Sequence, residues 1–377
     1  MTDAMHHLPG GLMPLHDQHS HRMPHWCWAA PVAGALLILA KLAGWASVES
    51  WPILILAIAL LGGSVFSAVH HAEILAIRIG EPFGSILLAL AITTLEVGLI
   101  ISVMVTGGEG AGAIARDTVF AVVMIVLNGI VGLCLVLGAL RHFQQEFRLQ
   151  SASAILSVIA TLAVVSLILP NFTLTTAGPT YAPSQLLFCG TVSLALYVTF
   201  VFIQTFRHRE DFVMVGDSHE HGAKPDAVAT TLSAVLLVVS LGAVILLAKS
   251  LSPIVEGAIL RAGLEVEVVG VVIALVVLLP EGLTAIKAAK ANRLQTALNA
   301  SLGSALASIG LTIPIVGMVS VYLGQSLTLG LIPEGMVLLV LSLFVSTLTF
   351  ATGRTTVLQG SVHLVIFAVF LFLTAVP

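Results

Sequence analysis

Charge is what this 377-residue chain has least of: 9% of its residues are Asp, Glu, Lys or Arg, 58% are apolar, and the mean hydropathy is +1.08. A soluble globular domain carries about 25% charged residues, so this composition excludes one. Aromatic residues are also sparse, at 6%, and the net charge is only −4. With no long basic or aromatic-basic stretch, nucleic acid is excluded as a partner. The three cysteines, Cys27, Cys134 and Cys189, form no CxxC pair and no metal-finger spacing, so no redox or zinc role is expected of them. The chain also lacks HExxH and GxGD motifs, and it has no Ser/His or Cys/His pair on facing segments, which argues against an intramembrane hydrolase.

What it has is apolar runs of about 20 residues, the length that crosses a bilayer as a helix. They fall near 29–47, 51–72, 84–106, 118–140, 153–170 and 185–206, then near 228–249, 266–287, 296–322, 332–351 and 357–376. The expected fold is an all-α polytopic membrane protein of about eleven transmembrane helices, with membrane lipid as its surroundings. A hydrophilic segment at 207–227 divides the runs. Residues 1–28 form a polar tail with His6, His7, His16, His19, His21 and His25, and no small-residue cleavage pattern follows the first run. Tail and loop, the latter with Asp217, His219, Glu220 and His221, read as solvated segments, with weak metal binding as the alternative. Lys41, His70, His71 and His363 are expected to snorkel or pack, and Glu334 to be interfacial.

Lys and Arg test the count, because a missed span would scramble them between alternate loops. Arg22, Arg78, Arg141, Arg148, Arg207, Arg209, Lys224, Lys287, Lys290, Arg293 and Arg354 all fall on the N-terminal side; only Lys41, Arg116, Lys249 and Arg261 fall on the other. A cytoplasmic N-terminus and an external C-terminus are expected. One leading helix (29–47), five spans (51–206), the loop, and five more (228–376) describe two related halves, and an odd-numbered unit repeated in tandem is inserted upside down.

Two acids stand inside these runs. GEPFGSILLALAITTLEVGLI carries Glu96, and VEVVGVVIALVVLLPEGLTAI carries Glu281, each in the second span of its half. In the following spans Asn128 of LNGIVGLCLVLG pairs with Ser304 of LGSALASIGLTIP, and Gly138 with Pro314, although the acids precede Asn128 and Ser304 by 32 and 23 residues. An ionisable side chain in mid-membrane persists mainly where it faces a cavity, a partner or an ion. Oxygen-bearing neighbours suit a hard cation: Thr93, Thr94 and Asn128 in one half, Thr284, Asn299, Ser304 and Ser308 in the other. Two carboxylates can hold one divalent cation or about two protons, and the two loads exclude each other. That is a mechanism of exchange. The rivals are a monovalent cation–proton antiporter on the same scaffold, an intramembrane metal-dependent enzyme, and a passive channel.

The long stretches GEPFGSILLALAITTLEVGLI and LLPEGLTAIKAAKANRLQTALNASLGSALASIGLTIP resemble the two signature regions of the bacterial ChaA-type calcium/sodium–proton antiporters of the cation/calcium exchanger superfamily. The resemblance runs over nearly all of the chain after the tail. It implies one leading helix plus two inverted five-helix repeats in a bacterial inner membrane. It also implies that Glu96 and Glu281 alternately bind cation and protons, with Thr93, Asn128 and Ser304 at flanking positions. The implied cargo is Ca2+, or Na+ or K+, against H+, with no prosthetic group. TTLE and LLPE stand where the wider superfamily has GNAxE, and Ala305 stands where many members have an asparagine.

Overall fold

The structure, a computed structural model, describes residues 24–45, 47–48, 50–80, 83–106, 112–207 and 225–376. Among these residues eleven helices are long and apolar enough to cross a membrane: α1 (His25–Leu42), α2 (Trp51–Ile79), α3 (Phe83–Val105), α4 (Ile114–His142), α5 (Leu149–Phe172), α6 (Pro183–Arg207), α7 (Ala227–Arg261), α8 (Glu267–Lys290), α9 (Leu294–Leu323), α10 (Pro333–Phe350) and α11 (Val357–Ala375). Helix is the expected state because hydrocarbon offers backbone groups no hydrogen bonds. Proline in the first turn starts α2, α6 and α10, where a missing N–H costs nothing. Asp226 caps α7 by accepting from Ala229 N at 2.6 Å.

Two boundaries depart from expectation. α7 continues to Arg261, well beyond the end expected near 249, and runs through Pro253; neighbouring helices let a membrane helix tolerate an interior proline. α1 begins at His25, so this histidine belongs to the helix, edge-on to Trp28, and not to the tail. The other five tail histidines and Asp217, His219, Glu220 and His221 lie outside the described residues.

The loops sort into two end layers in the alternation that eleven crossings require. At one end, Gln145–Glu146 between α4 and α5 pairs antiparallel with Arg354–Thr355 between α10 and α11. There too His142 meets the Lys290 carbonyl, and Arg78 donates to the Pro225 carbonyl. At the opposite end, Thr328 N donates to Gly112 O and Leu329 N to Pro179 O, which joins the α3–α4, α5–α6 and α9–α10 loops. The basic-rich loops therefore share one face.

Burial places α4 at the centre, with 83% of its spanning stretch enclosed and 67% for α9, against 22% for α1, α6 and α11. Both central helices contain a π-helical turn, Ile125–Ile130 in α4 and Ser308–Thr312 in α9. Contacts around these turns correspond between halves. The ring of Phe367 in α11 covers Gly129, and Tyr197 in α6 covers Gly310; Gly360 abuts Val136 as Gly190 abuts Pro314. Gly138 stands where any Cβ would collide with Gln145 Oε1.

Candidate functional site

α3 and α8 bring Glu96 and Glu281 into the bundle. Glu96 is 3% exposed and accepts a hydrogen bond from the Ser308 hydroxyl of α9, a contact between the two halves. Thr312, one turn further along the π turn, is fully buried beside the same carboxylate, and its hydroxyl makes no well-formed hydrogen bond. Glu281 has Ser304 of α9 as its side-chain neighbour and lies close enough to Glu96 to feel its charge. Its Oε2 is buried with no hydrogen-bond partner. A buried carboxylate oxygen without a donor calls for a proton or a cation.

The expected flanking residues divide. Thr93 is buried one turn before Glu96 on α3, and Ser304 and Ser308 stand at the two acids. Thr94 and Thr284 do not join them. Both are exposed on the helix exterior and donate back along their own helices, to Leu90 O at 2.7 Å and Pro280 O at 3.0 Å. Asn299 accepts from Gln295 Nε2 at 2.8 Å, in a polar cluster with Ser151 near the end of the bundle. Asn128 is fully buried but bonds away from the acids, to Ser342 of α10 at 2.8 Å and to the His363 ring of α11 at 3.1 Å.

Three features escaped the sequence reading. Thr312 could have been found as the residue four after Ser308, on the same helical face. His71 and His363 neither snorkel nor merely pack; both are fully buried with polar partners, His71 meeting the Cys27 carbonyl at 3.1 Å and Ser233 at 3.3 Å. Finally, Arg116 and Asp117, taken as loop before α4, lie in its first turn as a buried ion pair at 2.7 Å. Arg116 also reaches Glu267 of α8 at 3.8 Å and the Gly330 carbonyl at 3.3 Å. Glu334, by contrast, is exposed at the start of α10, as expected. Among the described residues no group of three or more His, Cys, Asp or Glu side chains assembles; the two glutamates with their hydroxyl neighbours are what the bundle interior offers a cation.

Two acids held on facing helices of an eleven-span bundle, flanked by hydroxyls and interrupted helices, define the class: a membrane protein built to pass small cations. The chain belongs to the sodium/calcium exchanger protein family, which matches residues 49–206 and 232–376. It is therefore a secondary transporter of cations and not an enzyme. The y4hA protein of Sinorhizobium fredii (strain NBRC 101917 / NGR234) is 52% identical over 359 residues, 95% of this chain and 98% of that protein. The sodium-potassium/proton antiporter ChaA of Escherichia coli (strain K12) is 36% identical over 345 residues, 89% of this chain and 93% of ChaA. Among solved structures, native YfkE superposes with a TM-score of 0.72 at 18% identity, covering 93% of this chain and 100% of that one. The H+/Ca2+ exchanger CAX gives 0.68 at 18% identity, covering 91% and 87%. At such identities the two structures share the fold.

Proposed function

We propose that this chain exchanges a cation, Ca2+ in the leading reading, for protons, with Glu96 and Glu281 binding the two loads in alternation. The observation that carries the proposal is the pair itself: buried Glu96 and half-buried Glu281 within electrostatic reach, with Oε2 of Glu281 enclosed and lacking any donor. Such a pair is unstable with both members ionised and empty. One divalent cation neutralises it, and so do about two protons, but not both together. Release of one load therefore favours uptake of the other, and antiport follows from differential binding. Ser304, Ser308 and Thr312 add neutral oxygens toward the six to eight that Ca2+ favours. Thr93 stands on the same face of α3 as Glu96.

A second reading, Na+ or K+ carried with one proton retained on the pair, is favoured by the similarity to ChaA over most of both chains. The positive-inside distribution supports an N-terminus in the cytoplasm of a bacterial cell and an external C-terminus. The like contacts at the two π turns, Phe367 over Gly129 and Tyr197 over Gly310, support inverted repeats, so that one arrangement of the site serves access from either face.

The test is proton flux in proteoliposomes with a preset pH gradient, challenged in turn with Ca2+, Na+, K+ and Mg2+. Ca2+ collapses the gradient in the leading reading, Na+ or K+ in the second. Glu96→Gln and Glu281→Gln each abolish the response; full activity in both variants overturns the proposal.

A further inference from the structure

Two non-glycine residues are held at positive φ among the described residues, and both lie where α4 and α8 end, at the basic face of the bundle. Phe143 has φ +62° and ψ −55°, and Gln144 N donates across it to His142 O at 2.7 Å. That is the strained form of the three-residue turn, and it leaves the Phe143 ring 88% exposed. Asn292, with φ +59°, turns the chain after α8 and accepts from Gln145 Nε2 at 3.0 Å. Asparagine tolerates this conformation, whereas a phenylalanine in it is an outlier. Backbone outliers of this kind persist where they serve a site.

The contacts around that ring also fix a set of cations. His142 Nε2 meets the Lys290 carbonyl at 3.0 Å, and Gln145 Nε2 donates to the Ala289 carbonyl at 2.9 Å, so the end of α4 is tied to the end of α8. Arg141, Lys287 and Lys290 stand at these joined ends, all exposed and, among the described residues, without an ion pair. Glu146, an exposed acid nearby, lies across the short strand pair from Arg354. Toward the middle of α8 the cations continue into an apolar stripe: Leu279 and Leu283, both exposed, precede Lys287 by two turns and one turn on the same helical face. Glu281 lies between them in sequence but about 200° round the helix from each.

We propose that this edge seats an anionic phospholipid, with its phosphate on Arg141, Lys287 and Lys290, an acyl chain along Leu279 and Leu283, and the Phe143 ring at the depth of the ester groups. Three cations with no acid paired to them call for an anion. The apolar residues continuous with those cations call for a lipid and not a soluble anion. Because the helix ends are already tied together, the cations are in place before the lipid arrives, which lowers the ordering cost of binding. The lipid lies on the side of α8 turned from Glu281, so the inference stands independently of the exchange reading.

The test counts lipids bound to the purified full chain by native mass spectrometry, during titration with phosphatidylglycerol, phosphatidylcholine or inorganic phosphate. Phosphatidylglycerol binds at one saturable site in preference to phosphatidylcholine, and inorganic phosphate does not displace it. Arg141→Gln, Lys287→Gln and Lys290→Gln each weaken phosphatidylglycerol binding about fivefold, and together about 100-fold, with phosphatidylcholine binding unchanged. Leu279→Ser with Leu283→Ser weakens both lipids. Phe143→Gly also weakens both, yet it unfolds no earlier than the parent in lipid-free detergent, because glycine relieves the turn. If the triple variant does not fold, the three single variants decide. Equal binding of the two lipids, or parental phosphatidylglycerol binding once the charges are removed, overturns the proposal. So does displacement by phosphate, which marks a soluble-anion site, or a changed oligomeric state in the triple variant with its lipid preference intact, which marks an interface between copies of the chain.

Discussion

Ser308→Ala removes the α9 hydroxyl that donates to Glu96 of α3. A hydrogen bond to a charged group is worth about 1.5–3 kcal/mol, and more of it is felt where water cannot replace the donor. At 1.4 kcal/mol per tenfold, that is about 10- to 150-fold in the balance between ionised and protonated Glu96. The donor favours the ionised carboxylate, which is the form that binds a cation. Its loss therefore raises cation KM at neutral pH by a factor in that range, and alkaline pH recovers the activity. Thr312, buried beside the same carboxylate with a hydroxyl free to turn, can partly replace the donor. The single variant then falls toward the lower bound, and Ser308→Ala with Thr312→Val toward the upper. Ser308→Thr keeps the hydroxyl and stays near wild type. The assay is initial proton flux against cation concentration at several pH values. An unchanged KM in the double variant, or a loss equal at every pH, refutes the reasoning.

The exposed threonines give the opposite expectation: Thr94→Val and Thr284→Val each leave exchange within about twofold, because surface changes away from a site rarely exceed about 0.5 kcal/mol. Arg116→Gln strands Asp117 as an unpaired acid in the first turn of α4; removing one partner of a buried pair costs about 3–5 kcal/mol, read as a drop in thermal unfolding temperature in detergent. Adding Asp117→Asn recovers a large part of that drop. Gly270→Ala sets a Cβ 2.8 Å from the Asp117 backbone where α8 crosses α4, whereas Gly242→Ala meets nothing within 4 Å. The first lowers the yield of folded protein, and the second leaves it unchanged in size-exclusion recovery.

Much of the fold was legible because the chain is so poor in charge: apolar runs of bilayer length, with Lys and Arg sorted between alternate loops, leave few other arrangements. α7 exceeded its expected length because Lys249 and Pro253 looked like a break, yet an interior proline can be accommodated among packed helices. Glu96 and Glu281 were legible for the same reason, as acids in apolar surroundings. Their neighbours were less so. Thr93 and Thr94 differ by one position, and helical rotation alone buries one and exposes the other. Ser308 meets an acid 212 residues away, and Asn128 is drawn off by Ser342, 214 residues on, and by His363, 235 residues on. Such partnerships depend on which helices touch, and no local spacing encodes that. Arg116 looked like a loop residue because a charge near an apolar run reads as its edge, although a paired charge can enter the first turn.

The central claim is that cation and protons compete for the same two carboxylates, and proton release on binding tests it without reference to transport. Purified protein in weakly buffered detergent solution is mixed with the cation that drives exchange, and the pH change is recorded beside the heat of binding. The account predicts that binding releases protons, that the release falls as the starting pH rises, and that Glu96→Gln and Glu281→Gln each bind weakly and release fewer. Cation binding of undiminished affinity in both variants, or binding with no proton release at any pH, contradicts it.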